Sequence, residues 1–507
     1  MIRQFVIAAL LVPVVGAPTP AASVDGESIV TRGTPQGATA CAACHGKDGA
    51  GIAQAGYPRL AGLSAQYIVS QLDAFASQRR ENAVMQPVAA ALSDDQRQAV
   101  ADYYAGLSLP EKPAQAEQTG DARRAVGQRL AEVGKWSEGV PACVRCHGLD
   151  GHGVDPYFPR LAGQHAAYIK AQLQAWKAGK RHNDALGLMQ QVAGNLSDSE
   201  IEAVSAYFAA QAPGEQRVAG VERTRRAAAI ATDSTPSASG DNNQAQDRPF
   251  TSPPESRIPD DELGKAVLTG KRVFVATPQY AGDYVGNALS CVNCHLDRGR
   301  RDASAPMGPA FVRYPRYRAK NHQVNTIEQR IQGCFTYSEN GKPPPADSDV
   351  MKGLVSYFAF LATGAPANTD MKIAGFAGID KAPQKPDPQR GAKVYAENCV
   401  ICHGADGEGT KLGDDYQFPP LWGEASFNWG AGMHRINTAA AFIYSNMPLG
   451  REGFLSVQDA WDVAAWVDSH DRPQDPRFDG DVEATRAQFH NHNCYYGSKP
   501  PGDSASQ

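Results

Sequence analysis

The chain has 507 residues, of which 42% are hydrophobic and 20% charged, and its formal net charge is −5. That length suggests about three or four domains, and the composition is that of an ordinary soluble protein. Beyond the N-terminus no apolar run approaches the length that spans a bilayer, which argues against a membrane-embedded class.

In chain order, Met1–Ile2–Arg3 leads into an apolar run, Phe5–Val15, and then into small residues, Gly16–Ala22. This reads as a secretory signal over residues 1–22, cut near Ala17–Ala22; an uncleaved amphipathic anchor is the alternative. Cys-x-x-Cys-His then occurs four times, as Cys41, Cys44 and His45; Cys143, Cys146 and His147; Cys291, Cys294 and His295; and Cys399, Cys402 and His403. This is the attachment signature of c-type haem, whose two thioethers hold the porphyrin while the next histidine takes the iron. The motifs use eight of the ten cysteines. Four zinc or disulfide sites would have to explain a histidine after every pair. Four covalently bound haem c groups are therefore expected, in a periplasmic protein, where such haem is attached and thiols meet oxidising conditions.

The first cysteines of the motifs are 102, 148 and 108 residues apart. The longer middle interval holds residues 212–257, rich in Ala, Ser, Pro, Gly, Asp and Gln and without apolar periodicity, which reads as a flexible linker. A second Pro/Gly/Lys stretch, 364–390, separates the third haem domain from the fourth. The expected architecture is all-α: four cytochrome c-type domains, at 23–110, 111–211, 258–363 and 391–507, arranged as two dihaem halves. Repeats one and two share Tyr57-Pro-Arg-Leu-Ala-Gly62 and Phe158-Pro-Arg-Leu-Ala-Gly163. Each repeat should close with an amphipathic helix, over 94–107, 198–211, 347–362 and 457–470. These segments carry Tyr103–Tyr104, Tyr207–Phe208, Tyr357–Phe358 and Trp461/Trp466 as core aromatics, and several start at a serine or aspartate cap.

Opposite each proximal histidine (His45, His147, His295, His403) the second axial ligand sets the chemistry. Met85, Met189 and Met447 follow their histidines by 40, 42 and 44 residues and are the expected distal ligands; core filling is the bland reading. Met433 and His434 are rivals in the fourth domain, though they come early. The third domain departs from this rule. At 39 residues after His295 stands Cys334, whose thiolate would lower the potential and is itself a nucleophile. A buried free thiol or a disulfide with Cys494 are alternatives, and Met307, His322 and Met351 lie off the interval.

From Arg298 to Arg330 there are eight basic residues (Arg298, Arg300, Arg301, Arg313, Arg316, Arg318, Lys320, Arg330) against two acids, Asp302 and Glu328. Guanidinium groups hold oxyanions through paired hydrogen bonds, so an anion pocket is expected. Pairing with haem propionates or solvation of a face accounts for several of these residues. No nucleic-acid-reading module accompanies the stretch. Near the C-terminus, His490 and His492 precede Cys494; metal binding is conceivable there, but three residues in a polar stretch read as a tail.

Residues from about 33 to 212 resemble a dihaem cytochrome of the c4 type, an electron carrier. Residues from about 258 to 497 resemble the tetrathionate-forming thiosulfate dehydrogenases, through Tyr314-Pro-Arg-Tyr-Arg318, Arg330-Ile-Gln-Gly-Cys-Phe335, Ser338-Glu-Asn-Gly-Lys342, Phe442-Ile-Tyr-Ser-Asn-Met-Pro448 and Asp459-Ala-Trp-Asp-Val-Ala464. The chain thus looks like a fusion of the enzyme with its own acceptor. The resemblance implies His295/Cys334 ligation at the active-site haem and substrate contacts from Arg330 and Ser338. A further basic contact is expected from Arg318, with Arg316 and Lys320 as competitors. It further implies oxidation of two thiosulfates to tetrathionate; the nucleophilic character of a thiolate suggests in addition that Cys334 leaves the iron transiently and forms a sulfur adduct that the second thiosulfate attacks. Electrons would run through haem 4 into the c4-like half and out to a small cytochrome, a high-potential iron–sulfur protein or a terminal oxidase. Family members can carry a lysine before the fourth-domain methionine, but here residues 444–446 are Tyr, Ser and Asn, which favours plain His403/Met447 ligation. The rival readings are a pure electron wire with four His/Met haems, tetrathionate reduction at the same site, and conjugation of thiosulfate to a carrier protein.

Overall fold

The computed structural model describes residues 24–109, 121–212, 250–318, 321–366, 375–413 and 415–498. The expected signal segment, most of the expected linker and Lys320 lie outside the described residues.

Four helical units follow one another on a shared plan. Each opens with a helix (Gly26–Arg32, Asp121–Glu132, Glu262–Val275, Pro388–Asn398), continues into a one-turn helix carrying the Cys-x-x-Cys-His motif, and closes with a long helix (Asp94–Ala105, Asp198–Ala209, Asp349–Leu361, Val457–Asp468). All four closing helices start at a serine whose side chain accepts a backbone N–H of the first turn: Ser93, Ser197, Ser348 and Ser456. The opening helix crosses the closing one at a glycine in every unit. A Cβ on Gly26, Gly127, Gly270 or Gly391 would collide with the backbone carbonyl of Ala99, Ala203, Gly353 or Asp462, respectively. The aromatics of the closing helices fill the cores, with Tyr104 and Tyr357 fully buried and Phe208 nearly so. The all-α expectation holds, with three two-stranded ribbons added among the described residues: Gly134–Lys135 with Val140–Pro141, Arg316–Arg318 with Gln323–Asn325, and Thr410–Leu412 with Asp415–Phe418.

Units one and two meet across a nearly symmetric interface. Arg80 donates to Tyr168 Oη at 2.7 Å and to Gln172 Oε1 at 2.7 Å. In return Arg181 donates to Gln71 Oε1 at 2.9 Å and to Tyr67 Oη at 3.4 Å. These residues are repeat equivalents, so one set of side chains meets a copy of itself. Arg59 and Gln164 exchange two further hydrogen bonds at 3.0 and 2.9 Å.

Two stretches read as linker are docked where they are described. Residues 250–257 lie against unit three, where Pro253 O accepts from Arg300 and Glu255 bonds Arg298 Nε at 2.8 Å. Residues 375–387 form a strap between units three and four. Ala305 N–H donates to Gly375 O at 3.1 Å, Trp461 Nε1 donates to Asp380 O at 2.8 Å, and the Phe376 ring lies between His295 and Phe442. Both stretches are poor in apolar periodicity because each contributes single anchors rather than a helical face.

Candidate functional site

The haem motifs are shaped to hold the group they imply. Each motif histidine has Nδ1 beside a backbone carbonyl: His45 at 3.0 Å from Pro58 O, and His147, His295 and His403 at 2.9 Å from Pro159, Ala305 and Pro419 O. The N–H given to that carbonyl leaves the Nε2 lone pair for iron. Burial lowers the pKa of all four rings, that of His295 to about 4, so they are neutral and able to ligate. None of the ten cysteines forms a disulfide, and burial pushes the Cys143, Cys294 and Cys399 thiols up to about 12. These are apolar walls suited to a porphyrin edge. Met85 and Met189 pack against the same cores as Cys41 and Cys143. Met447 caps helix Ile436–Asn446, at the end fixed by Arg301 Nε donating to Asn446 Oδ1 at 2.8 Å. The rivals have surroundings of their own. Met307 and Met351 lie in the core of unit three, His322 contacts the exposed Tyr317, and His434 turns toward the C-terminal segment.

Cys334 sits on helix Ile327–Tyr337, which begins at a Thr326–Gln329 capping box. Arg330, Cys334 and Ser338 follow at four-residue spacing, so they share one face of that helix. Arg330 Nη1 donates to Cys334 Sγ at 2.8 Å. Its electrostatic interaction with Cys334 is the main reason that Arg330's pKa is raised. Tyr314 also bonds this guanidinium. Arg318 arrives from the ribbon Arg316–Arg318, whose register pairs it with Gln323. Its pKa is lowered by burial and by the neighbouring Arg330, and its field also includes Tyr314, Cys334 and Tyr337. Arg316, two residues back on the same ribbon, is exposed where Arg318 is half-buried, which separates these two competitors. Ser338 is half-buried and its N–H donates to Cys334 O at 2.8 Å. Charge on Arg330 acts on His295, and charge on Cys334 acts on Cys291 and Cys294. Cys334, Arg330 and Arg318 therefore gather at the third motif.

The rest of the basic stretch divides along physical lines. Arg298 pairs with Glu255 and Asp297. Arg300 reaches Tyr357 Oη at 3.1 Å, and Arg301 reaches Glu452 at 3.2 Å. Burial alone would raise the Glu255 carboxyl, but Arg298, Lys271 and Arg300 bring it down to about 2. Sequence reading missed this because the neutralising acids come from segments outside the stretch. It also missed Tyr314 and Tyr337 beside the arginines. Glu339 was missed as well; it is buried next to Cys291 and its pKa is pushed well up by desolvation.

The fourth unit meets the second at their motifs. Cys146 and Cys402 pack against one small apolar cluster formed by Val154, Phe158 and Phe418. Gln417 Nε2 donates to the carbonyls of Val144 and Arg145 at 3.0 and 2.6 Å. The alternative disulfide between Cys334 and Cys494 is not formed. Residues 482–498 are not a tail. His490 and Cys494 are buried, because helix Val482–Phe489 folds back and carries them onto the fourth unit.

Comparison with known proteins assigns the units to cytochrome c families. Residues 280–367 match the SoxA/TsdA cytochrome c domain, 386–467 match cytochrome c oxidase, cbb3-type, subunit III, and 30–108 and 127–212 match cytochrome c. Domains of these families carry covalently bound haem c. The thiosulfate dehydrogenase of Thiomonas intermedia is 52% identical over 254 residues, 50% of this chain and 81% of that protein. The thiosulfate dehydrogenase electron acceptor of Stutzerimonas stutzeri is 48% identical over 190 residues, 37% of this chain and 87% of that protein. Among solved structures, the as-isolated thiosulfate dehydrogenase (TsdBA) of Marichromatium purpuratum superposes with a TM-score of 0.81 at 42% identity, covering 93% of this chain and 96% of that one. With its helical cytochrome c units, its arginine-flanked cysteine in the third unit and these relatives, the chain belongs to the thiosulfate dehydrogenase family and is an enzyme of that kind.

Proposed function

We propose that the chain is a periplasmic tetrahaem enzyme that joins two thiosulfates into tetrathionate at the third unit. The other units carry the two electrons away. The reading rests on the Arg330–Cys334 contact of 2.8 Å with Arg318 alongside, in the unit that matches the SoxA/TsdA family. Cys41, Cys44, His45 and Met85 would hold the first haem; Cys143, Cys146, His147 and Met189 the second; Cys291, Cys294, His295 and Cys334 the third; and Cys399, Cys402, His403 and Met447 the fourth. When bound, haem supplies at each site an iron that accepts and donates one electron.

Two dianions repel one another in water, so the chain's first task is electrostatic. Arg318 and Arg330 hold sulfonate oxygens through paired hydrogen bonds, and Ser338 contributes one more. The Cys334 thiolate bonds to the sulfane sulfur of the first thiosulfate as two electrons leave, giving a Cys334–S–SO₃⁻ adduct. The second thiosulfate attacks that sulfur, tetrathionate departs, and the Cys334 thiolate is restored. Arg330 stabilises the thiolate at both ends of the cycle. The contact between the Cys146 and Cys402 turns supports an exit from unit four into unit two and then into unit one. Covalent tethering makes that delivery intramolecular, and a soluble or terminal acceptor takes the electrons onward.

The test is anaerobic addition of thiosulfate to air-oxidised protein, following the reduced c-haem bands and assaying tetrathionate in the same sample. Rapid reduction with tetrathionate formed is expected. Haems that reduce with dithionite but stay oxidised with thiosulfate would leave only an electron wire.

A further inference from the structure

Behind the wall of the third site lies a cluster that electron transfer does not use. His434, from the turn Gly432–His434, meets His490, His492 and Cys494, and one ligating atom of each lies within 4.8 Å of those of the others. His434 Nε2 is 2.8 Å from His492 Nε2 and 3.2 Å from His490 Nδ1, and Cys494 Sγ is 3.8 Å from His490 Nδ1. The outer nitrogens already have oxygen partners: His434 Nδ1 the carbonyl of Ala431, and His490 Nε2 the carboxylate of Asp475 at 2.9 Å. A neutral imidazole has a single N–H. With those protons directed outward, His434 Nε2 and His490 Nδ1 turn acceptor positions toward His492 Nε2 and Cys494 Sγ. A cation at the centre of these atoms engages all four side chains at once.

We propose that His434, His490, His492 and Cys494 bind one zinc ion that fastens the C-terminal segment to the fourth unit. Zinc takes imidazole nitrogen at about 2.0–2.1 Å and thiolate sulfur at about 2.3 Å in a tetrahedron, which sets the ligand atoms roughly 3.3–3.6 Å apart. The 3.2 and 3.8 Å separations bracket that range, and the His434–His492 pair opens by about half an ångström on binding. The orienting groups are those a metal-bound histidine needs. Asp475, which receives His490, is itself gripped by Arg477 Nε and Nη2 at 2.9 and 2.6 Å. The Tyr496 ring stacks on His490 at 4.1 Å. His434, His490 and Cys494 are 0, 1 and 6% exposed, and four protein ligands leave no open position, so the ion is structural rather than catalytic.

Its consequence reaches the active site. The loop leading to His434 packs on the end of the Cys334 helix: Asn428 Nδ2 donates to Thr336 O at 2.9 Å, and Asn428 N–H to Tyr337 O at 3.2 Å. The ion therefore braces the loop that packs on the C-terminal end of the Cys334 helix.

Untagged holoprotein, dialysed against buffer without chelator, should carry about one zinc per chain by mass spectrometry of metals. Its zinc K-edge absorption should fit one sulfur and three nitrogens. His492→Ala, at the most exposed of the four positions, and Cys494→Ser should each lower bound zinc at least severalfold while keeping the haem spectrum. Zinc below about a tenth of an equivalent after dialysis against zinc salt, or a shell without sulfur, overturns the site in favour of a hydrogen-bonded histidine cluster. Copper in place of zinc overturns the choice of ion. If either variant fails to fold, the absorption spectrum of the unaltered protein decides alone.

Discussion

The N-terminal pair of units and the C-terminal pair are built from the same helices and joined in opposite ways. Units one and two meet through repeat-equivalent side chains, Arg80 with Tyr168 and Gln172, Arg181 with Tyr67 and Gln71. Units three and four meet through unlike parts: a loop carrying Asn428 set on a helix end, and a strap that stacks Phe376 on His295. The difference is what the proposed function asks for. Two relays with one shared task would be served by like surfaces, whereas a unit that receives an anion beside one that passes electrons would need unlike ones.

The contrast is broken most completely at Cys334. Cys334→Met gives the third unit the sulfur ligand type expected of the other three. Turnover of thiosulfate should fall at least about 10³-fold while the c-haem absorbance survives; undiminished turnover would remove the chemical distinction between the pairs. Arg330→Ala comes next, with kcat/KM expected to drop about 10²–10³-fold through loss of thiolate and sulfonate stabilisation. Arg318→Ala should act mainly on KM, raising it about 10–100-fold, and the exposed Arg316→Ala should stay within about twofold. Equal effects at Arg316 and Arg318 would mean that the ribbon does not sort them.

Glu255→Gln sharpens the comparison through stability. Removing a carboxylate shared by Lys271, Arg298 and Arg300 should cost unit three on the order of 3 kcal/mol at neutral pH. In the unaltered chain the carboxyl sits below its ordinary value of 4.5, at about 2. Its contribution is thus fully present above 4.5 and is lost as pH falls toward 2. Thermal unfolding between pH 6 and 2 should show that loss, and the variant's curve should lack it. The smallest effect is expected at Gln417→Ala, which deletes two hydrogen bonds to unit two worth about 1 kcal/mol each. Reoxidation of the catalytic half in single turnover should slow a few fold, and a change in the first turnover of thiosulfate itself would contradict the assignment.

The helical class, the four haem motifs and Cys334 were legible in the sequence because each rests on short spacing. Cys-x-x-Cys-His closes within one helical turn, and Arg330, Cys334 and Ser338 share a face four residues apart. What could not be read needed partners from afar. Arg298 and Arg300 looked like anion ligands until Glu255, from a stretch with no periodicity, was found between them. His434 looked like a rival iron ligand, and His490 like part of a tail, because nothing local signals that a helix fifty residues on will turn back. Arg316 and Arg318 are indistinguishable as letters, and they share a strand face; only their place along the ribbon leaves Arg316 exposed and Arg318 half-buried.

The strap has a consequence for how the protein is made. Ala305, whose carbonyl holds His295, is itself paired with Gly375, and Phe376 covers the imidazole while touching Phe442. The pocket of the third histidine is thus finished by residues synthesised some seventy positions later and held in place by a helix later still. A chain ending before residue 375 would lack one wall of the pocket around the third Cys-x-x-Cys-His, so the surroundings of that motif are complete only when the strap and the fourth unit are in place.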